Sequence, residues 1–275
     1  MEHQHPTRVV ESILKELLIA FENYSRNKQV EGTSTESFKS ILIESDIVEL
    51  RNDFKIQKIL EKTLELNFIR LKTLNPNEIL PFFINLYNLM ICHCYLSSKL
   101  EKTDGVYFNH SLYREIGYVF MGYNVGELGF VSIYDVRNKL LGEESHPMFT
   151  VRNLEAWSLV SIPTDPRVSF TMVNFRSSSP NLRLYTSEDL DAKFDEVVAS
   201  YLQNNVTLSN SSLCISDFLN CYLNNVLVNQ QPESHSASDS GLPTEKIKIL
   251  HEFLIEHTSG ELEEQLGSIL PFGKF

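Results

Sequence analysis

Three observations predict an α+β protein: a single, mostly helical domain with a small antiparallel sheet packed on a buried central helix. The first is residues 79–96, ILPFFINLYNLMICHCYL, the longest apolar run in the chain. The second is a set of flanking segments whose apolar residues recur at three- and four-residue spacing. The third is a pair of short stretches, 130–133 and 168–174, rich in the β-branched and aromatic residues that favour strands.

The central run is long enough to invite a membrane-spanning reading, for which about 18 apolar residues suffice. Pro81, Asn85, Asn88 and His93 argue against it, because hydrocarbon offers their polar groups no partner. The run is read instead as a core helix beginning near Pro81, a residue suited to a first helical turn. Asn85, Asn88 and Cys92 fall three and four apart and share one face, while Phe82, Leu86, Leu89, Met90 and His93 occupy the others. An amide inside a core needs a partner, since an unpaired one costs about 1–3 kcal/mol. Two readings stay open: these asparagines tie down neighbouring loops, or they line a site.

The other elements follow in order. Val10, Ile13, Leu14, Leu17, Leu18 and Phe21 place an amphipathic helix over 9–24. A polar connection over 26–36 leads to helices expected at 36–44 and 53–66, the second with Ile56, Ile59, Leu60 and Leu64 on one face. Asn75-Pro76-Asn77 reads as a turn. After the central helix, Gly122, Gly126 and Gly129 interrupt any long helix. A short strand follows at 130–133, and Ser132 caps a helix that stops at Gly142. Residues 143–150, with His146-Pro147, read as a loop. Extended structure is expected at 157–162, a turn at Asp165-Pro166 and an alternating strand at 168–174. Thr186 and Asp189 form a capping box for a helix bearing Leu190, Phe194, Val197, Val198, Tyr201 and Leu202. Residues 214–226 suggest a short helix or strand–helix piece, and 229–243 a flexible polar loop. Ile247, Leu250, Phe253 and Leu254 mark a last amphipathic helix. The expected organisation is one domain: a helical extension over 1–60, a core over 60–228, the loop, and a C-terminal helix within 244–275 that packs back on the core.

Composition narrows the function. Lys and Arg number 24 against 36 Asp and Glu, a net charge of −12. Nucleic acid and anionic membrane surfaces are therefore not expected as partners, since both demand clustered cations. The first residues lack the basic-then-apolar pattern of a signal peptide. The four cysteines, Cys92, Cys94, Cys214 and Cys221, are accordingly expected as reduced thiols of a cytoplasmic protein. Cys92-His93-Cys94 lacks the C-x2–4-C spacing of a zinc site, so no metal and no cofactor are expected. The expected partner is a protein or a small ligand.

Phosphate loops, HExxH and the G-x-S-x-G elbow are all missing from the sequence. The remaining candidate is Ser177-Ser178-Ser179-Pro180 beyond the predicted strand, a rigid platform for a nucleophile at Ser179. Serine needs a base, for which only His110 and His146 are considered; three serines before a proline also read as plain turn chemistry. Cys92 is a second candidate nucleophile. Asp165 and Arg167 read as a structural ion pair.

Three segments have a resemblance in common. FFINLYNLM at 82–90, YNVGELGFVSIYDVRNKLLG at 123–142 and DPRVSFTMVNFRSSSPNLRLYTSEDLDAKFDEVVASYL at 165–202 resemble, in order and spacing, the domain of unknown function 547 family. That family looks like a distant relative of papain- and transglutaminase-type thiol enzymes, which implies a cysteine nucleophile activated by a histidine. Its pattern has histidines at the positions of Asn138 and Ser169, and cysteines at those of Asn174 and Ser179. Its scaffold residues are matched here by Asn85, Tyr87, Asn88, Asp165-Pro166-Arg167 and Pro180. The resemblance thus implies a catalytically degenerate module that binds or scaffolds. Its expected cleft lies between the central helix and 165–180, lined by Asn85, Asn88, Asn138, Ser169, Asn174 and Ser179. Asp165, Arg167 and Pro180 are its structural residues. The alternative is a hydrolase or acyltransferase using Ser179 with His146, or Cys92.

Overall fold

The amphipathic pattern at the start of the chain becomes helix α1 (Pro6–Val30), which buries Val10, Ile13, Leu14, Leu17 and Phe21. This computed structural model describes residues 4–30, 44–97, 121–142, 157, 160–163, 165–174, 179–209, 212–214 and 252–258. Residues 36–43 of the helix expected at 36–44, the loop carrying His146, Cys221 and the polar loop at 229–243 lie outside the described residues. The chain divides into two compact units, Met1–Leu190 and Asp191–Phe275.

In the first unit, α2 (Glu44–Asn52) and α3 (Phe54–Glu61) follow α1, and the 3-10 helix Lys62–Phe68 continues α3. The Asp53 carboxylate caps α3 by accepting from the Lys55 N–H. Ile56, Ile59, Leu60 and Leu66 are buried on the inner side of this run, whereas Leu64, expected among them, faces outward. Lys62 bonds Glu16 of α1 at 2.6 Å, a half-exposed pair worth at most about 1 kcal/mol, so apolar burial carries the packing.

Helix α4 (Pro76–Ser97) is the central helix, and it begins five residues before Pro81. The cap decides this. Asn75 precedes Pro76 at the first helical position, and its N–H and side-chain amide both donate to the Glu78 carboxylate at 2.8 Å. The expected turn at Asn75-Pro76-Asn77 is therefore the helix start. Pro81 sits inside, and the carbonyl deprived of its N–H belongs to exposed Asn77, where water can serve it. Residues 80–92 are buried without a break, and the whole helix, Pro76–Ser97, is long and apolar enough to cross a membrane, though 78% of its apolar window is buried in protein. At its far end Arg51 of α2 donates Nε to the Leu96 carbonyl at 2.8 Å, satisfying an orphan acceptor of the last turn.

Strands β1 (Gly122–Asn124) and β2 (Phe130–Ser132) pair antiparallel, with Tyr123 opposite Val131. The connection turns through a 3-10 helix, Gly126–Leu128. Ser132 then caps α5 (Ile133–Leu141) in a reciprocal capping box with Asp135, and Gly142 ends the helix at φ 69°. α5 packs on α4.

The strand expected at 168–174 is a 3-10 helix, Pro166–Thr171, followed by extended residues to Asn174. The Asp165 carboxylate caps it through the Arg167 N–H, Pro166 supplies a helical φ, and the Thr171 hydroxyl donates to the Val168 carbonyl. Trp157 opens a turn, closed by the Val160 N–H, where extended structure was expected. The second unit contains most of α6 (Leu190–Asn205) and a hairpin of β3 (Thr207–Ser209) with β4 (Ser212–Cys214). α6 buries Phe194, Val197, Val198, Tyr201 and Leu202, as its spacing predicts. The short helix 252–257 buries Leu254. The architecture is α+β and mostly helical, with small antiparallel pairs.

Gly126 has φ +44°, and a Cβ placed there would lie 2.3 Å from the Ile69 carbonyl oxygen. Gly126→Ala is expected to cost about 2–3 kcal/mol, through left-handed strain plus the clash. Urea unfolding checks this; a wild-type midpoint in the variant would show that the β1–β2 connection is not held against Ile69.

Candidate functional site

Two asparagines on one face of α4 organise the region. Asn85 Nδ2 donates to the Tyr185 carbonyl at 2.7 Å, and the Tyr185 N–H donates back to Asn85 Oδ1 at 3.0 Å. One turn on, Asn88 Nδ2 donates to the Thr171 carbonyl at 3.0 Å, and its Oδ1 accepts from the Val173 N–H at 3.1 Å. Both side chains are fully buried, and each amide spends a donor and an acceptor on backbone. They clamp the end of the 3-10 helix at Thr171, the chain to Val173, and Tyr185 onto α4, so this part of the expected cleft is packed protein.

The clamped segment leads to the remaining candidates. Asp165 and Arg167 pair at 2.8 Å across the cap of the 3-10 helix. Ser169 is half-buried on that helix, and α5, which carries buried Asn138, packs against it. Past Val173, the Asn174 N–H donates to Ser179 Oγ at 3.0 Å, and the Asn174 carbonyl accepts from Tyr95 OH at 3.3 Å. Ser179 is buried beside buried Pro180, and its hydroxyl donates to the Pro180 carbonyl at 3.0 Å. The hydroxyl therefore bridges two backbone groups. His146 lies outside the described residues. The structure thus brings Asn174 and Ser179 together directly, with Asn138 and Ser169 on adjoining elements. Tyr95 was not anticipated: it lies on a helix read for its apolar face, and its partner is 79 residues away.

The far end of α4 holds the titratable groups. Cys92 is buried, and desolvation pushes its thiol well above the ordinary value, a backbone hydrogen bond only partly opposing this. Burial likewise raises Cys94 and lowers His93. His93 Nδ1 lies 2.9 Å from Tyr123 OH of β1. Burial raises the Tyr123 phenol, and the nearby Cys92 and Cys94 thiols add to the shift. A reactive thiol needs access and a lowered pKa; Cys92 has neither. Among the described residues no group of three or more His, Cys, Asp or Glu side chains is arranged to hold a metal ion.

With this geometry in place, comparison with known families is informative. The model of a family described as "Protein of unknown function, DUF547" matches residues 71–202. Just under half of the chain, residues 71–202, is thus similar to the DUF547 family. The match takes in α4, the β1–β2 pair, α5, the Asp165–Arg167 cap, Ser179 and most of α6, and leaves α1 to α3 outside. No curated protein and no solved structure matches the chain.

Two predictions follow from the clamp and the thiols. Asn88→Leu keeps the branched outline at larger volume and leaves the Thr171 carbonyl and Val173 N–H buried without their partner, a loss of about 2–5 kcal/mol. Asn88→Asp, which sets an oxygen against the Thr171 carbonyl, should lose as much. A shift of under about 1 kcal/mol in urea unfolding would remove the clamp from the account.

The pH dependence has two limbs. The folded His93 pKa lies below its ordinary 6.5, so the unfolded chain binds a proton first, and stability falls as the pH drops below that value. The folded Cys92 pKa lies above its ordinary 9.0, so the unfolded chain loses its proton first, and stability falls as the pH rises past that value. Each group contributes at most about 1.4 kcal/mol per pH unit. Unfolding midpoints measured across pH should show His93→Gln flattening the acid limb and Cys92→Ala the alkaline one; slopes identical to wild type would reject the assignment.

Proposed function

We propose that the DUF547-like region of this chain is catalytically degenerate and acts as a binding or scaffolding module for a protein or small ligand. The observation that carries this reading is Ser179. Its hydroxyl accepts from one backbone N–H and donates to a backbone carbonyl, inside the protein, where a nucleophile would need a base and an open approach. Asn138 and Ser169, at positions where the family resemblance implies histidine, supply neither an imidazole nor any other group able to take a proton at neutral pH. Cys92, the thiol that shares a face of α4 with Asn85 and Asn88, is neutral and enclosed. What the domain keeps is a rigid frame: α4, the doubly bonded asparagines and the Asp165–Arg167 cap. The half-buried edge of that frame, at Ser169 and Asn174, is where a ligand would be met.

Labelling tests the reading. Folded protein is treated with a fluorophosphonate and, separately, with iodoacetamide, and modified residues are mapped by mass spectrometry. Ser179 is expected to stay unmodified, and Cys92 to react only at the rate of unfolding. Stoichiometric fluorophosphonate addition at Ser179 that disappears on denaturation would overturn degeneracy in favour of a serine hydrolase or acyltransferase. Fast alkylation of native Cys92 would overturn it in favour of thiol chemistry.

A further inference from the structure

Residues 54–68 form one continuous helical run, α3 and the 3-10 helix after it. Ile56, Ile59, Leu60, Thr63 and Leu66 turn inward. Phe54, Leu64 and Phe68 turn outward and are 72, 66 and 61% exposed. A lone exposed apolar residue is ordinary. Three large ones along the outward side of a single run make an apolar stripe about 24 Å long, with Phe54 and Leu64 in line and Phe68 about a third of a turn round from Leu64, from the geometry of the two helix types.

The charge around the stripe is opposite to that of the molecule. The chain carries −12, yet residues 51–73 hold Arg51, Lys55, Lys58, Lys62, Arg70 and Lys72 against Asp53, Glu61 and Glu65. Even with Glu16 at Lys62 and Glu127, which accepts from the Leu71 and Lys72 N–H groups, six cations face five carboxylates. Lys58 pairs with Glu61 and lies over the Phe54 ring, Lys62 pairs with Glu16, and Arg51 bonds the end of α4. Lys55, Arg70 and Lys72 are exposed and make no ion pair among the described residues. Aromatic and aliphatic anchors flanked by uncommitted cations suit an apolar, acidic partner.

We propose that this stripe docks an amphipathic helix of another protein, with apolar anchors that meet Phe54 and Leu64 and flanking carboxylates that meet Lys55, Arg70 and Lys72. At 1.5 Å per residue, a helix of about 16 residues matches its length. An anionic bilayer has related chemistry but would face a whole side of a molecule of net charge −12. A single helix meets only the stripe, and charge beyond about 8 Å is screened. The stripe precedes residue 71 and lies outside the DUF547 match, so it stands or falls separately from the degenerate-site reading.

The test uses the full chain and a phage-displayed library of random peptides about 16 residues long. Selection runs in parallel on wild type and on Phe54→Ser/Leu64→Ser, whose changes are at exposed positions and should leave the circular dichroism and urea midpoint unchanged. Should that variant not fold, Lys55→Glu/Arg70→Glu takes its place. Peptides enriched only on wild type are expected to carry Leu, Phe or Trp at three- and four-residue spacing with a surplus of Asp and Glu. A synthetic copy of the most enriched peptide should bind wild type at least about tenfold tighter than either variant by fluorescence anisotropy. Absence of wild-type-specific enrichment, or enrichment of basic or non-periodic peptides, overturns the proposal. So does cosedimentation with phosphatidylcholine vesicles containing phosphatidylserine that is lost in Phe54→Ser/Leu64→Ser, which would assign the stripe to a membrane surface.

Discussion

An amide placed inside an apolar helix has to find a partner, and the backbone at 171–173 and 185 is arranged around where Asn85 and Asn88 find theirs. A side-chain amide offers the same donor and acceptor as a peptide group. Asn85 therefore serves Tyr185 as a neighbouring strand would, bonding both its N–H and its carbonyl. Asn88 does the same for the Thr171 carbonyl and the Val173 N–H. Buried backbone without secondary structure is expensive because its polar groups must be paired. The two asparagines remove that cost, and this is how the chain at 171–173 and 185 can lie against a core helix without a sheet to hold it.

What the sequence revealed of this arrangement was its local half. The asparagine stripe, the Ser132 cap, the stop at Gly142 and the inward faces of α1 and α6 all depend on residues within a turn or two of each other. The partners of the asparagines are 83 to 100 residues away, and no spacing rule reaches that far. The extended reading of 168–174 failed for a different reason. Val168, Phe170 and Met172 are all buried, as a strand face would be, but over so few residues the alternation does not separate period two from period three. Asp165 and Pro166 decide between them by capping a 3-10 turn. The start of α4 was misplaced likewise: two prolines compete, and the bonds from Asn75 to Glu78 select the earlier one. At the candidate site, the loop bearing Ser179 was legible. That its hydroxyl is committed to backbone on both sides was not, because this depends on how the segment folds back from Asn174.

The electrostatics of the region lead to the same conclusion as its hydrogen bonds. A thiol–imidazole pair works by holding two charges, thiolate and imidazolium, against solvent. At the far end of α4 every shift runs the other way: burial raises Cys92, Cys94 and Tyr123 and lowers His93, so each group is driven to its neutral form. Desolvation without a compensating charge is the signature of a core, and a cysteine moved into it would inherit the same penalty.

Frame and chemistry are consequently separable in this domain. Asn85 and Asn88 are needed for the backbone to be buried at all, so their presence reports folding and carries no information about turnover. Ser179 is the instructive case. Its hydroxyl accepts the Asn174 N–H at 3.0 Å, a bond that the sulfur of a cysteine, a weak acceptor, would make poorly. Serine at this position therefore holds the segment to Asn174 more firmly than a cysteine would.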